Sequence, residues 1–292
     1  MYQRIVVPLD GTALAERALP WAGAIAARSN GDLRLVHVHI PFRLPTTQGV
    51  LGPRVGDTLR RMGEEQEDRV EAYLKAAGER VSGEASAPEF TAAVLKGPTA
   101  ASLERDARTK EATLIVMAPR DRNSLARLME SSVTTQLVRS CPVPVLAVRG
   151  TNGAVPDETP DCRCILVPLD GTPRCEGAVD HAMAMAELFD ATVVLLRVER
   201  PGQWAAHAAA TYLEEVADGI HRAGVRVETR VLADRDVAAA INALAIEIGA
   251  GMIVIGSRYR NGLPRLIRGG LAETFVRAAP IPVLVVGRKE GC

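Results

Sequence analysis

Ile5-Val-Val-Pro-Leu-Asp-Gly-Thr12 occurs a second time in this chain, 160 residues later, as Ile165-Leu-Val-Pro-Leu-Asp-Gly-Thr172. The two segments differ only where Val6 is replaced by Leu166. Each is a short apolar run that contains a proline and is followed by Asp-Gly-Thr and a helical pattern. This order is typical of a buried β-strand with an acidic residue at its carboxyl end, where open α/β sheets bind their ligands. The repeat therefore predicts two copies of one α/β unit, each with a candidate site.

Segments with strand and helix patterns alternate after each copy, which predicts parallel strands joined by right-handed crossovers. The predicted strands are 4–9, 33–40, 89–95, 113–117 and 145–148 in the first unit, and 164–169, 192–198, 225–232, 252–255 and 283–286 in the second. The fold class is therefore α/β, with a five-stranded parallel sheet flanked by helices in each unit. We assign residues 1–150 to the first unit and 162–292 to the second, with 151–161 as a linker of polar, Gly and Pro composition.

The second unit is the shorter one. Corresponding positions are 160 residues apart at the first strand and 138 apart at the fourth, so the second unit lacks 22 residues (160 minus 138). We assign most of this difference to the loop after the second strand, at about 41–57 in the first unit. A charged amphipathic helix is predicted over 58–78, ending at Gly78, and Pro20 is predicted to bend the helix that follows the first strand.

The composition excludes several classes of protein. The chain has 292 residues, 47% of them hydrophobic, and 35 basic residues balance 35 acidic ones. Two ordinary domains with their own cores are therefore expected, without the basic excess of a general nucleic-acid-binding protein. No apolar run is long enough for a membrane span and no signal peptide precedes the first strand, which predicts a cytoplasmic protein.

The cysteines and histidines do not form a recognisable metal motif. The five cysteines lack zinc-finger spacing, and the five histidines lie at no metal-ligand spacing. Two interpretations of Cys162-Arg-Cys164 remain open. The pair is either part of a metal site or a strained disulfide, or it consists of reduced cytosolic thiols. No metal site is predicted.

An Asp after the first strand and a Gly- or Arg-containing loop after the fourth resemble the universal stress protein family. The resemblance extends over nearly the whole chain, twice. It implies two Rossmann-like units of the adenine-nucleotide alpha-hydrolase type, packed as an intramolecular pseudo-dimer through their last strands, and it is compatible with a homodimer. In ATP-binding members the loop after the fourth strand reads Gly-x2-Gly-x9-Gly-Ser/Thr. Its glycines let the backbone approach phosphates, and its last pair opens a helix whose N–H groups attract anions.

The first unit departs from this loop pattern at every glycine. The three glycine positions hold Ala118, Asp121 and Ser131, and Ser132 occupies the hydroxyl position. Asp121 would repel a triphosphate. We therefore interpret this loop as a structural helix start capped by Ser131 or Ser132, with a nucleotide site as the alternative.

The second unit keeps more of the pattern. Gly256 and Gly269 occupy the first and third glycine positions, Tyr259 replaces the second, and Gly270 replaces the hydroxyl residue. Residues 257–272 contain no acidic residue and four arginines: Arg258, Arg260, Arg265 and Arg268. Guanidinium groups beside a Gly-Gly helix start suit phosphate oxygens. The alternative is a solvated arginine loop with Tyr259 packed across a vacant pocket.

Alignment with the family carries over four further positions. Asp10 and Asp170 correspond to the family acid near the adenine and ribose, and Val38 and Val198 to the residue whose backbone meets the adenine. Each Asp could instead hold the Asp-Gly turn through its own backbone, and each Val could be a core residue. We expect Asp10 to keep a structural turn and Asp170 to face a nucleotide.

The resemblance implies a stress-response protein that binds or senses ATP or a related adenine nucleotide, with Mg²⁺ as an accompanying ion, and the retained glycines and arginines favour the second unit as the main site. The role is expected to be regulatory, since no Gly-x-Ser-x-Gly, Walker or His-Glu zinc motif occurs. Slow ATP hydrolysis is compatible with this prediction. One alternative is a nucleotide-independent protein-interaction module, and another is a small-molecule enzyme of the related hydrolase type.

Overall fold

Ten strands and eight helices make up most of the described part of the chain. The computed structural model describes residues 1–40, 53–81, 88–119, 133–149, 160–201, 206–256, 274–276 and 279–287. The strands are β1 (Arg4–Pro8), β2 (Asp32–His39), β3 (Phe90–Lys96), β4 (Leu114–Met117), β5 (Val145–Ala147), β6 (Cys164–Pro168), β7 (Thr192–Glu199), β8 (Val227–Ala233), β9 (Met252–Gly256) and β10 (Val283–Val286). The helices are α1 (Ala13–Glu16), α2 (Ala18–Ser29), α3 (Pro53–Val81), α4 (Thr99–Thr109), α5 (Val133–Ser140), α6 (Pro173–Phe189), α7 (Ala206–Arg222) and α8 (Val237–Glu247).

The strands form one continuous sheet in the order β3-β2-β1-β4-β5-β10-β9-β6-β7-β8. Pairing is parallel within β1–β5 and within β6–β10, while β5 and β10 pair antiparallel, with Leu146 opposite Leu284. The predicted α/β class, with two five-stranded parallel halves, is confirmed. The predicted contact between the two last strands is this junction, which hides one edge of each half from other chains. The domain boundaries stay a prediction.

The apolar strands separate two layers of helices. Successive side chains of a strand point to opposite faces, so Ile5 and Val7 join one buried cluster and Val6 joins the other. In β4, all four residues, Leu114–Met117, are buried, as expected for a strand covered by helices on both faces. The first cluster contains buried residues of both halves, from Tyr2 to Val286.

Pro20 interrupts the first helical segment, as predicted. Helix α1 ends at Glu16 and α2 begins at Ala18, with Arg17 between them. A proline has no N–H for the carbonyl four residues earlier and its ring crowds that carbonyl, which here belongs to Glu16. The break therefore lies one turn before the proline. Thr12 caps α1, since its Oγ1 accepts from the Ala15 N–H at 3.2 Å.

Two predictions about helix α3 are wrong. The helix begins at Pro53, inside the predicted loop, and continues past Gly78 to Val81. A Cβ atom added at Gly78 would lie 2.3 Å from a Phe90 ring carbon, so this glycine permits close packing against β3 and does not end the helix. Helix α3 has 29 residues and its counterpart α7 has 17, so the helix takes up a large part of the extra length that was assigned to the loop.

Helices α2 and α6 bring the two halves together beside the sheet. Tyr2 is fully buried, and a hydrogen bond of 2.8 Å joins its Oη to Nδ1 of His181. The rings of Trp21 and Phe189 lie 5.8 Å apart, and the Arg28 guanidinium lies 4.6 Å from the Phe189 ring centre. Within the described segments, no helix combines the length and apolar character needed to cross a bilayer.

Candidate functional site

Asp10 and Asp170 follow the central strands β1 and β6, and both hold the turn that leads into the next helix. Asp10 Oδ1 accepts from the Thr12 N–H at 3.1 Å and from the Thr12 hydroxyl at 2.5 Å. Asp170 Oδ1 accepts the same two bonds from Thr172, at 3.0 and 2.5 Å. Both aspartates therefore act as turn residues, as one of the two interpretations states. Their role toward a ligand stays a prediction.

The glycine after each aspartate has a left-handed backbone, which explains the Asp-Gly pair. The φ angle is 82° at Gly11 and 76° at Gly171, a region that L side chains rarely adopt. Their surroundings differ. Among the described residues, a Cβ at Gly11 would meet no atom within 4 Å, whereas a Cβ at Gly171 would lie 2.9 Å from Nη1 of Arg197. In the second unit the Arg197 guanidinium therefore packs over the turn.

The peptide groups of Val198 extend beyond the end of β6. The β6–β7 pairing ends where Leu169 N–H donates to the Leu196 carbonyl at 2.8 Å, while Val198, two residues further, still pairs with Leu232 of β8. Peptide groups two residues apart on a strand face the same neighbour, so those of Val198 face the space above the Asp170 turn. Val38 has the same position in the first unit. The side chains of both valines pack against a core cluster, as the alternative interpretation states.

Different polar side chains flank the two valines. Arg197 and Glu199 form an ion pair with Nε 2.7 Å from Oε1, and their side chains are 24% and 14% exposed. In the first unit the 160-residue repeat places His37 and His39 at these positions. His37 Nδ1 lies 2.9 Å from the Leu9 carbonyl oxygen. The sequence prediction missed Arg197 and Glu199, although two charged residues at i and i+2 ending an apolar strand are visible in the sequence.

A phenol and a thiol adjoin the same tip of the second unit. Tyr212 Oη donates to Glu176 Oε1 at 3.2 Å, and burial, together with the Glu176 carboxylate, raises the pKa of Tyr212 to about 12. Burial and then a hydrogen bond to Asp170 raise the pKa of the Cys175 thiol. Both groups are therefore protonated at neutral pH, which makes them poor nucleophiles.

The first unit has a related arrangement next to Asp10. Glu16 pairs with Arg80 at 2.9 Å, and burial, followed by the effect of Glu16, raises the pKa of Tyr73. Tyr73 and Tyr212 lie on corresponding helices, α3 and α7, and each is near the glutamate of the first turn after the Asp-Gly-Thr segment. Each tip therefore has a tyrosine near a glutamate, but Tyr212 is hydrogen-bonded to Glu176, whereas the Tyr73 hydroxyl has no hydrogen-bond partner among the described residues. The tips also differ in the residues at the ends of β2 and β7.

The phosphate loops belong largely to undescribed parts of the chain. Gly256 is the last residue of β9 and pairs with Val286, and Ala118 directly follows β4. The other predicted loop residues lie outside the described residues: Asp121, Ser131, Ser132, Arg258, Tyr259, Arg268, Gly269 and Gly270. Strand β9 adjoins β6, so Gly256 is at the same sheet edge as Asp170, on the side opposite β7. The phosphate-binding half of the site stays a prediction.

Cys162 and Cys164 are free thiols in different environments. Cys162 is 1% exposed within one core cluster, and Cys164 packs against the other cluster. The disulfide alternative is therefore wrong for this structure, and the separation of the thiols argues against joint metal ligation. Burial raises the pKa of Cys162 to about 12. Among the described residues, no three His, Cys, Asp or Glu side chains are grouped so that they could hold a metal ion.

Comparison with known proteins gives a consistent family for both halves. The model of the universal stress protein family matches residues 1–149 and again 162–287. A universal stress protein of Mycobacterium tuberculosis is 28% identical over 300 residues, which cover 96% of this chain and 96% of that protein. A putative universal stress protein of Staphylococcus haemolyticus is 30% identical over 140 residues, which cover 43% of this chain and 85% of that protein.

Solved structures agree on the fold. A universal stress protein from Archaeoglobus fulgidus superimposes with a TM-score of 0.70 at 18% identity, covering 99% of this chain and 98% of that chain. A putative universal stress protein from Pseudomonas aeruginosa gives a TM-score of 0.64 at 18% identity, covering 98% and 93% of the two chains. Two family matches in tandem, and relatives of the same length, lead to one conclusion. This chain belongs to the universal stress protein family, with two copies of the family's unit in one polypeptide.

Proposed function

We propose that this protein binds ATP or a related adenine nucleotide at the carboxyl edge of its second unit and that its role in the stress response is regulatory. The observation that carries the proposal is the geometry around Asp170. The chain leaves β6 toward β7 and β8 and returns to β9 on the other side of β6. Such a switch point opens a crevice at the carboxyl ends of the strands, where α/β sheets bind nucleotides. The peptide groups of Val198 face this region.

The charges in the sequence after β9 and those at the β6–β7 tip suit the two ends of a nucleotide. On the β9 side, Gly256 leads into residues 257–272, with four arginines and no acidic residue. On the β6–β7 side lie the carboxylates of Asp170, Glu176 and Glu199, the last of which is paired with Arg197. Guanidinium groups bind phosphate oxygens, and carboxylates accept hydrogen bonds from ribose hydroxyl and adenine amino groups. The arrangement therefore supports a nucleotide with its phosphates toward β9.

The first unit has less of this separation between basic and acidic groups. Its loop after β4 holds Asp121 and Glu130, and no glycine occupies the phosphate-binding positions. Carboxylates at a phosphate site would repel the ligand unless Mg²⁺ intervened. We therefore propose the second unit as the main site and the first as its structural partner. Protonated Cys175 beside Asp170 and protonated Tyr212 beside Glu176 fit a binding role better than covalent catalysis.

Titration calorimetry and thermal unfolding of the full chain test this proposal, with ATP and ADP, each with and without Mg²⁺. The variant Gly269→Glu puts a carboxylate at the third glycine position of the second unit, and Ser131→Glu is its matched control in the first. We expect binding to be lost in the first variant and kept in the second. At 100 times the dissociation constant, ATP should stabilise the wild type by about 2.7 kcal/mol. Absence of heat and of a thermal shift at millimolar ATP would leave a nucleotide-independent interaction module as the function.

A further inference from the structure

We propose that Arg197 is a ligand-contacting residue of the second unit, where it binds the nucleoside end of the nucleotide, and that it gives this site a preference that the first unit lacks. The inference rests on the proposed function, because it assumes a nucleotide over the Asp170 turn. It adds a residue and the part of the ligand that this residue recognises.

Arg197 lies against the turn on which the ligand is expected to rest. Its Nη1 is 2.9 Å from the position that a Gly171 Cβ would occupy, so the guanidinium packs directly on the Asp170-Gly171 backbone. It is also next in sequence to Val198, whose peptide groups face the same space. A ligand that meets both Val198 and Asp170 therefore approaches within reach of the Arg197 side chain.

Glu199 fixes the orientation of this guanidinium. The Nε of Arg197 donates to Glu199 Oε1 at 2.7 Å, and both side chains are largely buried, at 24% and 14% exposure. A guanidinium carries five N–H donors in one plane, and the Glu199 bond uses one of them. A charged group that is held in place before binding loses little conformational entropy when it contacts a ligand. The ion pair thus prepares Arg197 for recognition.

The order of the strands determines which end of the nucleotide Arg197 contacts. Strand β7, which carries Arg197, lies on one side of β6, and β9, which leads into the phosphate loop, lies on the other. A nucleotide with its phosphates near Gly256 therefore has its base and ribose near β7. Ring nitrogens and ribose oxygens of the nucleoside accept hydrogen bonds from a guanidinium, and its planar face can stack on a base.

The first unit has no guanidinium at the corresponding position. The repeat places His37 there, with Nδ1 2.9 Å from the Leu9 carbonyl oxygen, and a Cβ at Gly11 would meet no atom of the described residues within 4 Å. Among the described residues, the Arg197 contact with the Asp170 turn therefore has no counterpart at Gly11. Since the turns themselves have the same hydrogen bonds, Arg197 is a main difference between the described parts of the two tips.

Competition binding on the full chain tests the inference with a fluorescent ATP analogue displaced by ATP or by adenosine. The variant is Arg197→Met, and the matched control is Arg230→Met. Arg230 forms a comparable pair with Glu228, two residues away on the neighbouring strand β8, with Nη2 2.8 Å from Oε2. We expect Arg197→Met to weaken the binding of ATP and of adenosine by the same factor, about tenfold or more. We expect Arg230→Met to change neither affinity.

The other possible binding results either overturn the inference or contradict the proposed function. Unchanged or tighter binding in Arg197→Met would overturn the inference, because Arg197 would then either make no contact with the ligand or obstruct it. Weaker binding of ATP with unchanged binding of adenosine would overturn it as well. So would failure of adenosine to compete with the analogue in the wild type. Should Arg197→Met not fold, Arg197→His replaces it with the residue of the first unit, and the same factor is expected. A wild type that binds neither the analogue nor ATP contradicts the proposed function itself.

Discussion

The Asp-Gly-Thr turn forms the same hydrogen bonds in both units, whereas the side chains packed around it differ. Ala15 and His37 in the first unit correspond to Cys175 and Arg197 in the second. Cys175 bonds to Asp170, and Arg197 lies over Gly171. A duplicated segment therefore conserves the turn, while substitutions at neighbouring positions change what the turn presents to a ligand.

We predict that the buried thiol of Cys162 makes the free energy of unfolding fall at alkaline pH. Burial raises its pKa to about 12 from the ordinary value of 9.0, so the unfolded chain loses the thiol proton at a lower pH than the native protein. The unfolded state then binds fewer protons, and the free energy of unfolding falls as pH rises from about 9 to 12. The fall attributable to this thiol is up to ~4 kcal/mol, at ~1.36 kcal/mol per pKa unit.

Urea unfolding of the wild type and of Cys162→Ala, at several pH values from 8 to 11, measures this effect. The variant is less stable at pH 8 because a buried side chain is truncated, and it should lose less stability on going to pH 11. Equal losses in both proteins would mean that Cys162 does not carry the dependence. At pH 8 the native thiol should also resist alkylation, since little thiolate is present.

Among the elements, helix α3 differs most between expectation and structure. Gly78 has the appearance of a helix terminator in the sequence, yet it lies within α3 because the Phe90 ring of β3 occupies the space beside it. Gly63 lies in the same helix, and a Cβ there would meet no atom of the described part of the chain within 4 Å. Both glycines therefore cost the helix a similar loss of backbone entropy, but Gly78 is closely packed and Gly63 has room for a methyl group.

We predict opposite effects of alanine at these two positions. Gly78→Ala should lower the free energy of unfolding by about 1–3 kcal/mol, because the methyl group forces Phe90 or the helix to shift. Gly63→Ala should raise it by roughly 0.5–1 kcal/mol, since alanine is the better helix former. Denaturant titration of both variants, with circular dichroism as the readout, checks the pair. Stabilisation by Gly78→Ala would show that the contact with Phe90 is absent in solution.

Features of the elements that depend on local chemistry could be predicted from the sequence. The break near Pro20 follows from a missing N–H, and the turns at Asp10 and Asp170 follow from the Asp-Gly pair. Features that depend on contacts between residues far apart in the sequence could not be predicted. The role of Gly78 requires β3 to lie beside α3, and the position of Arg197 over Gly171 requires β6 and β7 to pair in their observed register.

At the scale of the whole molecule, the two halves share one sheet and one core cluster. The antiparallel junction of β5 and β10 continues the hydrogen bonding from one half into the other. On one face, the cluster that contains Ile5 also contains Ile165. The family resemblance of the sequence implied the junction through the last strands. It gave no sign of the Tyr2–His181 bond, because the repeat aligns Tyr2 with Cys162 and His181 with Trp21, so neither unit contains the pair in a corresponding place.

We predict that the chain unfolds in one cooperative transition and that Tyr2→Phe lowers its midpoint without splitting it. The substitution keeps the buried ring and removes the 2.8 Å bond to His181, which should cost about 1–2 kcal/mol. For a chain of this size that unfolds as one unit, the midpoint should fall by roughly 1–4 °C. Scanning calorimetry checks both statements, with Tyr212→Phe as the control for loss of a hydroxyl that bonds within one half, to Glu176. Two transitions in the wild type, or a shift of only one of two, would mean that each half unfolds independently and that the shared sheet does not couple them.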